Sequence, residues 1–378
     1  MIKDCLRALF YLLYRMVPKF GHAVVWGWPD GEDSTRALVD GLRYYRVAWV
    51  VVLMTNPSSG ADKPRVRYVK KTSLAGLLWF LTARYVFFTH RCFMKRFPKQ
   101  VVSVNVWHGM PIKRIGWLLD GDEGIDSRYV LATSDFWAGI MRQAMCPAGH
   151  VLVTGLPRND RLFCNRAQVL DRLGFSPCTG IRKLVVWLPT YRRSVRGLIR
   201  NDGSAQGGVF GAMAVNTDAL NTLLAEHQAL MIVKPHPQAA FEALDEMSHL
   251  RIVDDTWLRD KGVSLYELLG ASYVLISDIS SVTVDYLLLD RPIIHCFSDL
   301  KAYRADRGFT VEPVEDVLAG PVVTTFDELR ERLREVCDGG DLDPVRRRAL
   351  RDRFHKDKDA GATRRLLDAI GLERIPPA

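Results

Sequence analysis

Apolar residues along the chain come in short, nearly continuous runs, separated by stretches with helical periodicity. The clearest run is AWVVVLM at Ala48–Met54. It lacks polar alternation, as a parallel strand covered on both faces does. His22–Trp28, Tyr85–Thr89, Val101–Trp107, Tyr129–Ala132 and His150–Thr154 read as further strands. Helices are predicted over Asp33–Leu42, which opens on Asp-Ser-Thr, and over Ser73–Ala83. After a loop-rich stretch at 165–182 the alternation resumes. Strands are expected at Lys183–Leu188, Ala229–Lys234, Arg251–Asp254, Tyr273–Ser277 and Pro292–Phe297, with helices at Asp218–His227, Ser264–Gly270 and Ser281–Leu289. A charged, helical stretch, Pro344–Leu372, closes the chain.

Strand–helix alternation of this kind implies mostly parallel sheets with helices on both faces. Two successive series imply an α/β protein of two Rossmann-like domains facing a cleft, assigned to residues 21–165 and 183–343, with a C-terminal helical segment at 344–378. Residues 1–20 read as one amphipathic helix ending near Pro18. Leu6, Leu9, Phe10, Leu13 and Met16 fall at helical spacing, and Lys3, Arg7, Arg15 and Lys19 are basic. Such a helix either lies in the interface of an anionic membrane or packs on its own domain.

Composition narrows the class. The 378 residues carry 52 Lys and Arg against 43 Asp and Glu, a net charge of +9, and are 48% hydrophobic and 25% charged. That balance suits a folded chain and excludes a disordered or collagen-like one. No window holds the ~20 apolar residues of a spanning helix. Seven cysteines form no CxxC pair, which points to reduced thiols and no structural zinc. The basic excess fits an anionic substrate or membrane surface. No nucleic-acid signature accompanies it, so nucleic acid is not expected as a partner.

Five polar motifs fall just beyond strand ends, where doubly wound folds bind ligands. Trp107-His108-Gly109-Met110-Pro111-Ile112-Lys113 places an imidazole suited to general-base work at such an edge. Val233-Lys234-Pro235-His236-Pro237 holds Lys234 and His236 in a stiff loop where both could meet a phosphate. Ser277-Asp278-Ile279-Ser280-Ser281 joins a strand to a helix, with Ser280 and Ser281 at the helix N-terminus, where free N–H groups attract phosphate. Thr154–Asp160 contributes Arg158, and Leu188–Arg192 contributes Thr190 and Arg192. Arginines suit bidentate phosphate contact, although either could be a surface residue. The Gly-rich segment 196–211 matches neither a P-loop nor GxGxxG and reads as a surface loop. Asp120-Gly121-Asp122 resembles a DxD metal site but lies in a solvated stretch, and no metal or cofactor is expected. Together the motifs converge on a phosphorylated nucleotide compound.

The order WHGMPIK, TGLPRND, LPTYR, VKPHP, SDISSVTVDYLLLDRPII, then Asp299 and Tyr303 before Arg307-Gly308-Phe309, resembles the CDP-glycerol glycerophosphotransferase family. The resemblance runs from about Ala23 into the tail RDRFHKDKDAGATRRLLDAI. Met110 departs from it, since family members often carry Thr there. The resemblance implies a GT-B-like fold and transfer of glycerol phosphate from CDP-glycerol to a hydroxyl of a lipid-linked or polymeric glycan, with release of CMP. It implies His108 as general base and His236 as a phosphate-binding or charge-stabilising partner. Ser280 and Ser281 would hold the donor phosphates, and Thr190, Arg192 and Asp278 would line the nucleotide side. A peripheral enzyme on the cytoplasmic face of the membrane is then expected. CDP-ribitol as donor, a nucleotide-sugar glycosyltransferase or epimerase, and a non-enzymatic assembly module are the alternatives.

Overall fold

The computed structural model describes residues 2–57, 63–90, 92–119, 126–145, 149–175, 180–189, 210, 213–235, 247–297, 300, 304 and 308–376, with side chains of the first helix described from residue 9. The chain divides into two compact units. The first comprises Met1–Met110, Ile115–Arg161 and Phe354–Ala378; the second comprises Pro111–Arg114 and Leu162–Arg353.

The first unit carries a seven-stranded parallel sheet. Its strands are β1 (Phe20–Trp26), β2 (Val50–Met54), β3 (Val66–Lys70), β4 (Ala83–Phe88), β5 (Val102–Asn105), β6 (Tyr129–Ala132) and β7 (His150–Val153), in the order β3-β2-β1-β4-β5-β6-β7. Every residue of β2 is buried, as its uninterrupted apolar run requires. Helices α1 (Ile2–Met16), α2 (Asp33–Leu42), α3 (Leu74–Thr82) and α4 (Asp135–Met145) connect or cover the strands. Strand β3 and helix α4 were not expected. VRYVK is short and partly exposed, so it gives little apolar signal.

Helix α1 packs on the first unit through one of its faces. Tyr14 is fully buried and stacks on Phe80 of α3 at 5.5 Å, and Phe10 and Tyr11 pack on the same core. The aromatic face therefore docks on the unit. Leu9, Leu12, Leu13 and Met16 stay 51–73% exposed. Lys19, expected as a free basic flank, instead donates to the carbonyls of Tyr14 (2.6 Å) and Leu81 (2.7 Å), and burial lowers its pKa to about 8.

The second unit carries a six-stranded parallel sheet in the order β10-β9-β8-β11-β12-β13. These strands are β8 (Lys183–Leu188), β9 (Ala229–Val233), β10 (Leu250–Ile252), β11 (Val274–Ser277), β12 (Ile293–Cys296) and β13 (Val322–Val323). Around them lie α5 (Arg166–Arg172), α6 (Thr217–Glu226), α7 (Asp255–Asp260), α8 (Leu265–Ala271), α9 (Ser281–Tyr286) and α10 (Phe326–Cys337). Helix α5 lies in the stretch read as loop. Helix α10 was also missed, although Thr325 and Glu328 form a capping box legible in its sequence.

The charged C-terminal stretch is two helices, α11 (Pro344–Phe354) and α12 (Ala362–Ala369), not one. Among the three consecutive arginines of α11, Arg347 is 1% exposed. Its guanidinium grips Asp341 (2.7 and 3.0 Å) and Asp290 (3.0 Å). Burial alone would raise the Asp290 pKa, but hydrogen bonds from Arg348 and Arg347 outweigh it and leave the carboxyl below its usual range.

Candidate active site

In the first unit the carboxyl ends of three neighbouring strands, β1, β4 and β5, bring Trp28, His90, Trp107 and His108 together. The turn after β5 is tight. Trp107 has φ +49° and Gly109 φ +126°, a region that only glycine enters without strain. The Trp107 amide donates to Oδ1 of the fully buried Asn105 at 3.1 Å, which fixes the turn. Its effect is to lift His108 to the surface while Met110 is buried behind it.

His108 Nδ1 lies 3.4 Å from the carbonyl oxygen of Thr89. A carbonyl only accepts, so the proton of this long hydrogen bond sits on Nδ1. In a neutral imidazole that donates from Nδ1, the other ring nitrogen, Nε2, is the acceptor. Thr89 is buried, and its Oγ1 accepts the Trp28 amide at 3.0 Å. One residue at the end of β4 thus holds both the imidazole and the loop after β1. His90 and Trp28 were not among the expected site residues. The signal that could have found them is position, since each stands two residues past a strand of the same sheet.

Arg158 also lies in the first unit, in a 3-10 turn at Pro157–Phe163, and is 8% exposed. The same TGLPRND loop has a structural duty that sequence reasoning missed. Asp160 accepts from the amides of Ala362 (2.8 Å) and Thr363 (2.9 Å) and so caps α12. Arg365 of that helix donates back to the Thr154 carbonyl at 3.1 Å.

In the second unit the neighbouring strands β9, β8 and β11 end on Lys234, Leu188 and Ser277–Asp278. Lys234 is 6% exposed, and its ammonium pairs with Asp255 at 2.9 Å. Ser277 Oγ donates to the Leu188 carbonyl at 3.0 Å and ties the two strand ends together. Ser280 caps α9, with its hydroxyl accepting a long 3.5 Å hydrogen bond from the Val282 amide, and Ser280 and Ser281 are both half-buried. Asp278 is 3% exposed. Its carbonyl faces Nδ1 of His295 at 3.3 Å, and His295 Nε2 accepts from the Ala319 amide at 3.2 Å. Burial lowers the His295 pKa to about 4, so this imidazole is a neutral strut under the Asp278 turn. In the sequence His295 is one polar letter inside an apolar strand.

Thr190, Arg192, His236, Asp120, Asp122, Asp299 and Tyr303 lie outside the described residues, as does the Gly-rich segment read as a surface loop except for Phe210, which is 8% exposed and packs on Trp187 at 5.0 Å in the core of the second unit. Among the described residues no group of three or more His, Cys, Asp or Glu is disposed to hold a metal ion. No helix among them is long and apolar enough to cross a membrane.

The family model for CDP-Glycerol:Poly(glycerophosphate) glycerophosphotransferase matches residues 24–372. Curated relatives include the teichoic acid ribitol-phosphate polymerase TarK of Staphylococcus aureus (strain NCTC 8325 / PS 47), 25% identical over 295 residues, covering 72% of this chain and 52% of TarK. The teichoic acid poly(glycerol phosphate) polymerase of Bacillus spizizenii (strain ATCC 23059 / NRRL B-14472 / W23) is 25% identical over 298 residues, covering 72% of this chain and 71% of the relative. The chain spans about half the length of TarK and of a second S. aureus ribitol-phosphate polymerase, TarL (52% and 48%). Among solved structures, the wall teichoic acid polymerase TagF shares the fold with a TM-score of 0.74 at 20% identity, over 98% of this chain and 97% of that one. S. aureus MnaA bound to UDP aligns at a TM-score of 0.53 and 13% identity, over 93% and 96%. With two parallel α/β units of this topology and a family match over nearly its whole length, the chain belongs to the CDP-glycerol:poly(glycerophosphate) glycerophosphotransferase family.

Proposed function

We propose that the protein transfers glycerol phosphate from CDP-glycerol to a hydroxyl of a lipid-linked or polymeric glycan and releases CMP. The observation that carries this reading is the turn after β5, with His108 exposed and its Nδ1 turned to the Thr89 carbonyl. Nε2 then takes the proton of the acceptor hydroxyl as its oxygen attacks the β-phosphorus of the donor. The P–O bond to CMP breaks, and CMP leaves with the bonding pair. Lys234, Arg158, the hydroxyls of Ser280 and Ser281, and His236 are the groups for the charge on the phosphoryl oxygens, and Thr190, Arg192 and Asp278 line the nucleotide side. The family match and a TagF variant solved after a soak with CDPG support the choice of donor.

CDP-ribitol is the second reading, favoured by the ribitol-phosphate polymerases among the relatives. The protein works at the inner membrane surface in this proposal. The exposed leucines of α1, with Leu74 and Leu78 of α3 (73% and 54% exposed), support that location. The test is incubation with CDP-glycerol, CDP-ribitol and a panel of UDP-sugars together with lipid-linked and polymeric acceptors. CMP and a product heavier by glycerol phosphate are expected. UDP release from a UDP-sugar would overturn the reading.

A further inference from the structure

The four rings after β1, β4 and β5 form one cluster, in which His90 also lies 5.5 Å from His108. Trp28 lies 5.5 Å from His90, His90 lies 5.8 Å from Trp107 at an interplanar angle of 16°, and Trp107 lies 4.0 Å from His108. His108 is exposed, Trp28 is 40% exposed, and His90 and Trp107 are half-buried, so the cluster presents ring surface rather than filling a core. It is also held rigid. Asp30 accepts the amides of Thr55 (2.7 Å) and Asn56 (3.2 Å), Glu32 accepts those of Ser34 and Thr35 at the start of α2, and the Trp28 amide is tied to Thr89.

We propose that Trp28, His90 and Trp107 form a shelf for a pyranose ring of the acceptor, laid so that one of its hydroxyls, or one on the adjoining unit, reaches His108. The chemistry of the cluster matches that occupant. The apolar C–H face of a sugar ring packs on the electron-rich face of an indole. Hydroxyls around the ring edge need hydrogen-bond partners, and the exposed imidazole of His108 is a side chain of the kind that supplies one. A flexible alditol phosphate has no flat apolar face and gains little from such a shelf. His108 is a member of the cluster, beside both Trp107 and His90, so a sugar seated on the indoles delivers its hydroxyl where a proton is taken. Thr89 couples the two functions, since it anchors the Trp28 loop through Oγ1 and orients His108 through its carbonyl. This rests on the reading of His108 as base and names the acceptor class it serves.

The test has two arms. In the first, saturation-transfer NMR is recorded with methyl hexopyranosides, a 1,4-linked disaccharide, glycerol phosphate and CMP as probes. Transfer to the ring C–H protons of the glycosides is expected. Trp28→Ala should weaken disaccharide binding by about tenfold, and Trp28→Phe should restore most of it. In the second arm, Trp28→Ala should raise the KM for a sugar-ended acceptor by about tenfold, several times its effect on a glycerol phosphate-ended one, with the loss in KM rather than kcat. Glycosides bound equally by wild type and Trp28→Ala, or not bound at all, would overturn the shelf. So would loss of CMP binding with glycoside binding intact, which would assign the rings to the nucleotide base. Wild-type protein that binds glycosides yet releases no CMP with any acceptor would overturn the transferase reading and leave the shelf standing.

Discussion

The carbonyl oxygen of Thr89 lies 3.4 Å from Nδ1 of His108, nineteen residues further along the chain and just past the end of the neighbouring strand of the sheet. With Nδ1 donating to that carbonyl, Nε2 is the nitrogen that the proposal makes the base. His108→Asn keeps an amide N–H where Nδ1 stood but has no base. CMP release in the presence of acceptor should fall by about 10²–10⁴-fold for this variant and for His108→Ala, with CDP-glycerol affinity retained. Turnover within about threefold of wild type would remove His108 as the base.

Donor contacts should appear in binding rather than in the proton-transfer step. Lys234→Met and the Ser280→Ala, Ser281→Ala double variant are each expected to weaken CDP-glycerol binding by about 1.5–3 kcal/mol, the range for hydrogen bonds to charged groups. The serine effect should be the smaller, because backbone N–H groups of α9 remain. Calorimetry gives the affinities. Unchanged affinity in Lys234→Met would confine that ammonium to its pair with Asp255.

His295 makes stability depend on pH. Burial holds its pKa at about 4 in the folded state, against 6.5 for the free side chain. The unfolded chain therefore binds more protons between those values, and stability, full above about pH 6.5, is lost as the pH falls toward about 4. His22, whose pKa is also lowered chiefly by burial, acts in the same direction. Urea midpoints of wild type and His295→Gln at about pH 7.5 and about pH 5 should show a smaller acid loss in the variant. Equal losses would mean that His295 is not the titrating group.

Arg347 joins segments far apart in the second unit. Arg347→Met takes one guanidinium from two carboxylates and should cost about 3 kcal/mol, the lower end for breaking a buried pair. The moderation comes from Asp290, which keeps Arg348 (2.9 Å) and Arg351 (3.2 Å), and from Asp341, which is 43% exposed. Denaturant unfolding measures the difference. Arg348→Met, at an exposed position, should cost less than about 1 kcal/mol.

Helix α1 offers two faces that substitutions can separate. Tyr14→Ala removes a fully buried ring from the core and should cost about 3 kcal/mol. Leu12→Ser with Leu13→Ser changes half-exposed positions and should shift stability by less than about 1 kcal/mol. The double serine variant should nonetheless float less with anionic vesicles. Equal flotation of wild type and the serine variant would remove these leucines as the membrane contact. Deleting residues 1–20 cannot make this distinction, because it takes Tyr14 out of the core as well.

Residue type and spacing alone determined the alternation of strands and helices, the two α/β series and the family. Runs such as Val50–Met54 and the WHG, KPHP and SDxSS loops are local in the chain, so they can be read one segment at a time. Tertiary structure decided which side chains have structural partners and which face solvent. Three consecutive arginines look alike in sequence, yet Arg347 is buried because Asp290 and Asp341 converge on it. Lys19 looked like a membrane flank and is a helix cap, because the Leu81 carbonyl arrives from sixty-two residues away. Asp160 looked like part of a binding motif and caps a helix two hundred residues on. Trp28, His90 and Trp107 became one surface only when β1, β4 and β5 paired side by side. Propensity and hydrophobic period act over a few residues, whereas these pairings depend on contacts between segments that only the packed sheet brings together.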